Sequence, residues 1–413
     1  MDRIPRSPSP RAGPDLLKSG ARWIAGAGVG VALGLAVHAA STRAAPLLDE
    51  SDGVPSESTA FPRHHLSAPE TEIPWMSLSV LGSEVQPGES RRLSLKVSES
   101  FGGTSVATPV TVVHGSAPGP TLCLTAGIHG DEIIGIEVVR RVVAQLEPDG
   151  VRGTVIGVPV VNPLGFRRSS RYLPDRRDLN RYFPGRETGS SASRIAYRFF
   201  EQVVRRCEVL VDFHSGSFHR SNLPQVRADL TDPALRGLAS WFGAPVVLHN
   251  AGRRGTLRKA AHEAGIEAIL YEAGEPMRFD EESVEQGVEG SLRLMRSLGM
   301  IDGPAPAVED AIFFQGSRWI RTDEGGIFLG ERQLGDLVME GDHLGTVTDP
   351  FTNDRVEIVS PFAGRVIGRA LDQVVIPGFA LYHLGTRQYE TLVDLDADVD
   401  ADALERELDE RPE

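Results

Sequence analysis

The sequence predicts an α/β protein: a mixed or parallel sheet with helices on both faces, followed by a small β-barrel-like (barrel-sandwich) module. Three observations predict it. Between residues 121 and 298, short apolar runs alternate with segments whose apolar residues recur at helical spacing. Several of those apolar runs end on a histidine or a carboxylate, at the edge where open α/β sheets collect their ligands. After Pro304 the texture changes to short strand-like runs and many glycines, with no long helical pattern.

The 413 residues, 40% hydrophobic and 24% charged, suffice for two folded domains plus appendages. Four segments are expected: an N-terminal extension (1–75), an α/β domain (76–303), a β-rich C-terminal domain (304–390) and an acidic tail (391–413). Within the extension, residues 23–40 (WIAGAGVGVALGLAVHAA) form an apolar stretch flanked by arginines, just long enough for a membrane span. Three readings stand for it: an uncleaved anchor, a cleaved signal with V-H-A at 37–39, or an extension outside a protein that starts at Met76. The first makes the protein membrane-anchored, the last cytoplasmic. The net charge of −14 is concentrated in residues 394–413, whose ten acids and two arginines carry −8 and leave −6 on the rest. That tail reads as a solvated end, and no basic run points to nucleic acid. Cys123 and Cys207 read as two buried free thiols, because two cysteines cannot make a disulfide framework.

The elements follow in order. Residues 88–98, 108–114 and 121–127 read as strands, then 133–146 as a helix and 155–163 as a buried strand. Helix 192–206, strand 208–214, helix 232–242, strand 245–249, helix 256–264, strand 266–272 and helix 283–298 continue the alternation. In the β-rich module, G-D-L-V-M-E-G-D-H-L-G-T-V and S-P-F-A-G-R-V-I-G-R-A have the texture of biotin- or lipoate-carrier sandwiches. The only lysines are Lys18, Lys96 and Lys259, so no attachment lysine exists there, and a structural or gating role is expected.

The chemistry sits at strand ends. His129 and Glu132 follow the strand 121–127, His214 ends E-V-L-V-D-F-H after the otherwise odd Asp212, and Glu272 ends I-E-A-I-L-Y-E. Two imidazoles and a carboxylate with an open position make a catalytic zinc site, and a second carboxylate nearby makes a general base. An H-x-x-E pair alone is more often a solvated turn; delivery from three strand ends carries the reading. Gly127 and Gly130 would let the backbone come close to a metal. Asp131 has its own explanation as a first-turn helix acid. The loop 162–185 holds six arginines, with Arg186 just beyond it, which suggests an anion site.

These residues fall into ordered motifs: G-I-H-G-D-E, then N-P-L-G with R-Y and D-L-N-R-Y-F-P-G, then V-D-F-H-S-G, then E-A-G. The set resembles the succinylglutamate desuccinylase/aspartoacylase family, a branch of the zinc carboxypeptidase-like hydrolases, over about residues 76–390. The resemblance implies a carboxypeptidase-like α/β sheet and one Zn2+ per chain, held by His129, Glu132 and His214. It implies Glu272 as the base that activates the metal-bound water, and Asn180 and Arg181 as binders of a substrate carboxylate. Arg171 is implied as the arginine that polarises the scissile carbonyl, with Arg176 or Arg177 as alternatives because the R-Y to D-L-N-R spacer is longer than in aspartoacylase. Asp178 reads as a loop anchor, and Arg227 as a further substrate-side candidate. The expected partner is a small N-acyl amino acid or related carboxylated amide. The alternatives are a zinc carboxypeptidase acting on peptides and a non-catalytic envelope binding protein.

Overall fold

A computed structural model describes residues 75–99, 102–217, 219–304 and 311–387. The apolar segment 23–40 and the acidic tail lie outside these residues. Among the described residues no helix is long and apolar enough to cross a membrane. Trp75 packs through its indole: Nε1 donates to the Gly115 carbonyl at 2.8 Å, and the ring lies 4.7 Å from that of His114.

The α/β part runs β1 (Leu78–Val80), β2 (Ser83–Val85), β3 (Glu89–Glu99), β4 (Ser105–His114), β5 (Ala117–Ala126), α1 (Ile134–Gln145), β6 (Arg152–Val158), α2 (Pro163–Phe166) and α3 (Ser191–Gln202). It continues with β7 (Val209–His214), β8 (Arg220–Ala228), α4 (Pro233–Phe242), β9 (Val246–His249), α5 (Leu257–Glu263), β10 (Glu267–Gly274) and α6 (Glu281–Ser297). Strands β10, β7, β5 and β6 are mutually parallel at its centre, with β4 and β3 antiparallel at one side and β8 antiparallel to β10 at the other.

The two faces follow from the two-residue period of a strand. In β5 and β7, Leu122, Leu124, Val209, Val211 and Phe213 pack under α1, α4 and α6, while Cys123 and Leu210 join the opposite core with Phe199 of α3 and Leu257 of α5. Asp212 and His214 share that second face with Leu210, so a polar pair rides on a strand that is otherwise apolar. The cores explain the helices as well: α3 begins at a Ser190 cap whose side chain accepts from Ser193 N, and α6 at an Asp280 cap.

The two cysteines are joined by a disulfide, Cys123–Cys207, with Cα atoms 5.7 Å apart. This corrects the expectation of free thiols. Two cysteines exclude a framework but not one bridge, and the parallel pairing of β5 with β7 brings together positions 84 residues apart.

The β-rich part comprises β11 (Ile312–Phe314), β12 (Gly316–Arg321), β13 (Gly326–Gly330), β14 (Leu337–Val338), β15 (His343–Thr348), β16 (Arg355–Val359), β17 (Gly364–Ala370), β18 (Gln373–Val375) and β19 (Ala380–Thr386). It takes an open form rather than a closed barrel. Strands β12, β19 and β17 extend the main sheet by pairing β17 with β8, and the sheet β16-β15-β13-β18 is separate from it. Phe328, Leu344, Val366, Leu381 and Tyr382, drawn from both sheets, share one core.

Strand β8 is absent from the sequence reading, for a physical reason. Pro224 lacks an N–H and argues against an interior strand. The ladder accommodates it: β8 pairs with β17 through residues 220–222 and with β9 through 225–228, and no pairing falls on 224.

Candidate functional site

The carboxyl ends of three neighbouring parallel strands meet here. His129 and Glu132 lie in the turn between β5 and α1, His214 is the last residue of β7, and Glu272 is its cross-strand partner on β10. The turn is held tightly. A Cβ on Gly130 would sit 2.0 Å from the Gly165 carbonyl carbon, so this glycine serves close approach of the α2 loop rather than of a metal. Asn162 completes the join: its Nδ2 donates to Ile128 O, and its Oδ1 accepts from Gly165 N at the start of α2. Asp131 does not cap α1, whose N-cap is Ile133 with no side-chain cap bond.

His129 Nδ1 and His214 Nδ1 each lie 2.7 Å from a different oxygen of Glu132. Their other nitrogens are taken by carboxylates: His129 Nε2 by Asp178 at 3.1 Å, His214 Nε2 by Asp212 at 2.9 Å. Asp212 in turn accepts from Thr125 Oγ1 at 2.8 Å, across the β5–β7 pairing. All of these groups are buried. The carboxylate partners fix each ring so that Nδ1 faces the centre, as the outer partners of metal-bound histidines do. The donor atoms of His129, Glu132 and His214 all lie within 4.8 Å of one another. This donor set fits zinc by type, number and outer partners.

The electrostatics favour a cation. Burial alone would raise the Glu132 carboxyl, but the two imidazoles hold it well below the usual carboxylate range. Burial would likewise lower His214, and Asp212 and then Glu132 carry it well above its ordinary value. Asp178, raised by burial, is pulled well down by Arg171 and His129. A field that draws protons onto imidazoles draws a divalent ion by the same sign.

The arginine loop contributes unevenly. Arg171 reaches the centre: Nη2 donates to Asp178 Oδ2 at 2.8 Å, and Nη1 to Glu132 Oε1 at 3.2 Å and to Ser217 Oγ at 2.6 Å. Ser217 Oγ donates to Glu132 Oε1 at 3.0 Å. Arg177 pairs with Asp175 at 3.1 Å, and Arg176 is exposed with φ of 68°. Asp178 anchors the loop by accepting from Asn180 N, as well as touching His129 and Arg171. Asn180 is buried with its Oδ1 accepting from Leu257 N at the start of α5, and Arg181 donates to the Asn180 carbonyl at 3.0 Å. Arg227, on β8, pairs with Glu272 Oε2 at 2.9 Å, so it neighbours that carboxylate directly.

Asn222 and Ser217 are contacts that the sequence reading missed. Asn222 Nδ2 donates to Glu272 Oε1 at 2.9 Å. Ser217 had a signal, standing three residues after His214 in the H-S-G-S run; Asn222 had none, because its strand was itself unread.

Fold and site together define a carboxypeptidase-like α/β protein with a His-Glu-His centre at its strand ends. Residues 118–298 match the succinylglutamate desuccinylase/aspartoacylase catalytic domain. It is 29% identical over 271 residues to the N-alpha-acetyl-L-2,4-diaminobutyric acid deacetylase of Halomonas elongata, covering 62% of this chain and 78% of that protein. It is 28% identical over 216 residues to the succinylglutamate desuccinylase of Burkholderia pseudomallei, covering 46% of this chain and 60% of that one. Among solved structures, the product-bound ectoine utilization protein EutE (DoeB) of Ruegeria pomeroyi superposes with a TM-score of 0.67 at 26% identity, over 72% of this chain and 95% of that chain.

Proposed function

We propose that the protein is a zinc-dependent deacylase that cleaves the amide bond of a small N-acyl amino acid. The observation that carries this reading is the convergence of His129, Glu132 and His214 with Glu272 on the adjoining strand end. The two curated relatives support the substrate class, since both names describe removal of an acyl group from an amino-acid derivative. We assign the reaction to residues 76–303 and a supporting role to the β-rich residues 304–390.

Zinc held by His129, Glu132 and His214 would polarise the amide carbonyl and make a water acidic enough to attack at neutral pH. Glu272 takes the proton of that water as its oxygen bonds to the carbonyl carbon, then passes the proton to the nitrogen as the C–N bond breaks. The products are a carboxylate and an amine. Arg171, fixed by Asp178, carries N–H donors toward the position where the carbonyl oxygen gains charge. We assign Asn180, Arg181 and Arg227 to binding a substrate carboxylate, which guanidinium groups hold in a planar fork.

The test is direct. Purified protein should hold about one zinc per chain, and a panel of N-acetyl and N-succinyl amino acids should contain a substrate. Glu272→Gln should lower its kcat by about 10²–10⁴-fold, the usual worth of a general base, while zinc content stays the same. Protein without stoichiometric metal, or a Glu272→Gln variant with undiminished turnover, would falsify the proposal.

A further inference from the structure

Strand β8 holds both oxygens of Glu272: Asn222 Nδ2 donates to Oε1 and Arg227 pairs with Oε2, each at 2.9 Å. The same strand is where the β-rich region joins the α/β sheet. Asn222 pairs with Gly274 of β10 on one edge and with Gly368 of β17 on the other. It is only 4% exposed, and its Oδ1 is buried without a hydrogen-bond partner. The orientation of the amide is dictated by chemistry. An amide oxygen turned toward a carboxylate would set two acceptors against each other, so Nδ2 must face Glu272 and Oδ1 must face away.

On that far side lies Gly368. A Cβ there would come within 2.8 Å of Asn222 Oδ1 and 3.2 Å of His383 Cβ, inside ordinary contact. Gly368 is not among the residues with left-handed φ, so its backbone does not call for glycine. What the position requires is space, and the space is occupied by the Asn222 amide. Each carboxylate oxygen has two acceptor sites. One N–H at Oε1 therefore orients Glu272 and still leaves a lone pair for the water proton.

We propose that Asn222 is a positioning residue for Glu272, and that Gly368 of the β-rich region keeps open the room in which Asn222 can do so. The β-rich region then sets the aim of the catalytic base. This rests on Glu272 being the base. It predicts that a methyl group on β17, in a different part of the fold, acts on turnover through one named amide.

The experiment is a double-mutant cycle on the full chain, assayed with the N-acyl amino acid of the panel that is cleaved fastest. Gly368→Ala should lower kcat by at least about tenfold, as misplacement of a reacting group does, with KM within about twofold and zinc content intact. In the Asn222→Ala background, where the atom that the new methyl would strike is gone, the same substitution should change kcat by less than about twofold. Asn222→Leu keeps the shape and removes the donor. It should lose kcat alone, and it serves if Gly368→Ala does not fold. A crystal structure of Gly368→Ala gives a readout independent of turnover, with Asn222 displaced from Glu272. Equal effects of Gly368→Ala in both backgrounds, full kcat in Asn222→Leu, or an unmoved Asn222–Glu272 bond overturns the proposal. Failure of the base itself is distinguishable, since Glu272→Gln would then be active.

Discussion

Replacing Asp212 by Asn should weaken zinc binding without disturbing the fold, and the structure gives the size. Asp212 is 1% exposed, with one oxygen 2.9 Å from His214 Nε2 and the other accepting from Thr125 Oγ1 at 2.8 Å. Asparagine has the same shape, and its Oδ1 can accept from His214 Nε2. Its Nδ2 then faces the Thr125 hydroxyl, which has lone pairs to receive it. Neither hydrogen bond is lost; the negative charge is. A unit charge about 6–7 Å from a divalent ion is worth at most about 5 kcal/mol at an effective dielectric near 20. Asp212 also stabilises the proton that zinc must displace from His214, so the expected net loss is nearer the roughly 10–100-fold seen when the outer partner of a metal-bound histidine is changed. The assay is equilibrium dialysis against a chelator that buffers free zinc across several decades, with bound metal quantified for native protein, Asp212→Asn and a surface control, Asp149→Asn. A dissociation constant for Asp212→Asn within about twofold of the native value would sink the electrostatic reasoning, since twofold is below 0.5 kcal/mol.

Two further outcomes concern stability. Removing the bridge in a Cys123→Ala, Cys207→Ser double variant should cost about 2–4 kcal/mol of unfolding free energy in urea, because cross-linking positions 84 residues apart restricts the unfolded chain; two reactive thiols in the denatured, unreduced native protein would show that the bridge does not form. His383 supplies the pH dependence. Burial first, then Arg227 and Arg220, hold its imidazole well below its ordinary value, and it stacks 4.3 Å from Trp319. The unfolded chain takes up a proton near pH 6.5 that the folded one refuses, so this contribution is complete above pH 6.5 and is lost as pH falls below it. The limiting slope is about 1.4 kcal/mol per pH unit. The stability gap between native protein and His383→Gln should therefore be constant from pH 7 to 8 and narrow toward pH 5; parallel curves would contradict the assignment.

The centre was legible in the sequence because its grammar is local. D-F-H at the end of an apolar strand places Asp212 and His214 two residues apart, hence on one face, and H-G-D-E places His129 and Glu132 in one turn. Each pair needs only the period of its own element. Which arginine of the crowded loop reaches inward was not legible, since Arg171, Arg176 and Arg177 differ in what they meet, not in what they are. Arg171 finds Asp178 and Glu132; Arg177 finds Asp175 first. The helices and three of the four central strands were read close to their observed bounds for the same reason as the centre, their apolar spacing being their own; the strand expected over 155–163 instead spans Arg152–Val158.

What escaped the sequence depends on pairing between distant segments. Cys123 and Cys207 bond only because β5 and β7 adjoin, and β8 reads poorly because its polar residues and Pro224 describe a strand with two different neighbours rather than one apolar face. Gly368 shows the limit most clearly. As a letter it is one of many glycines in a β-rich stretch; as a position it lies across the ladder from Asn222, which lies against Glu272. Chemistry that a strand carries on its own face can be read from its own residues. Chemistry that depends on which strand lies beside it needs the sheet order, and in this fold that order joins residue 222 to residue 368.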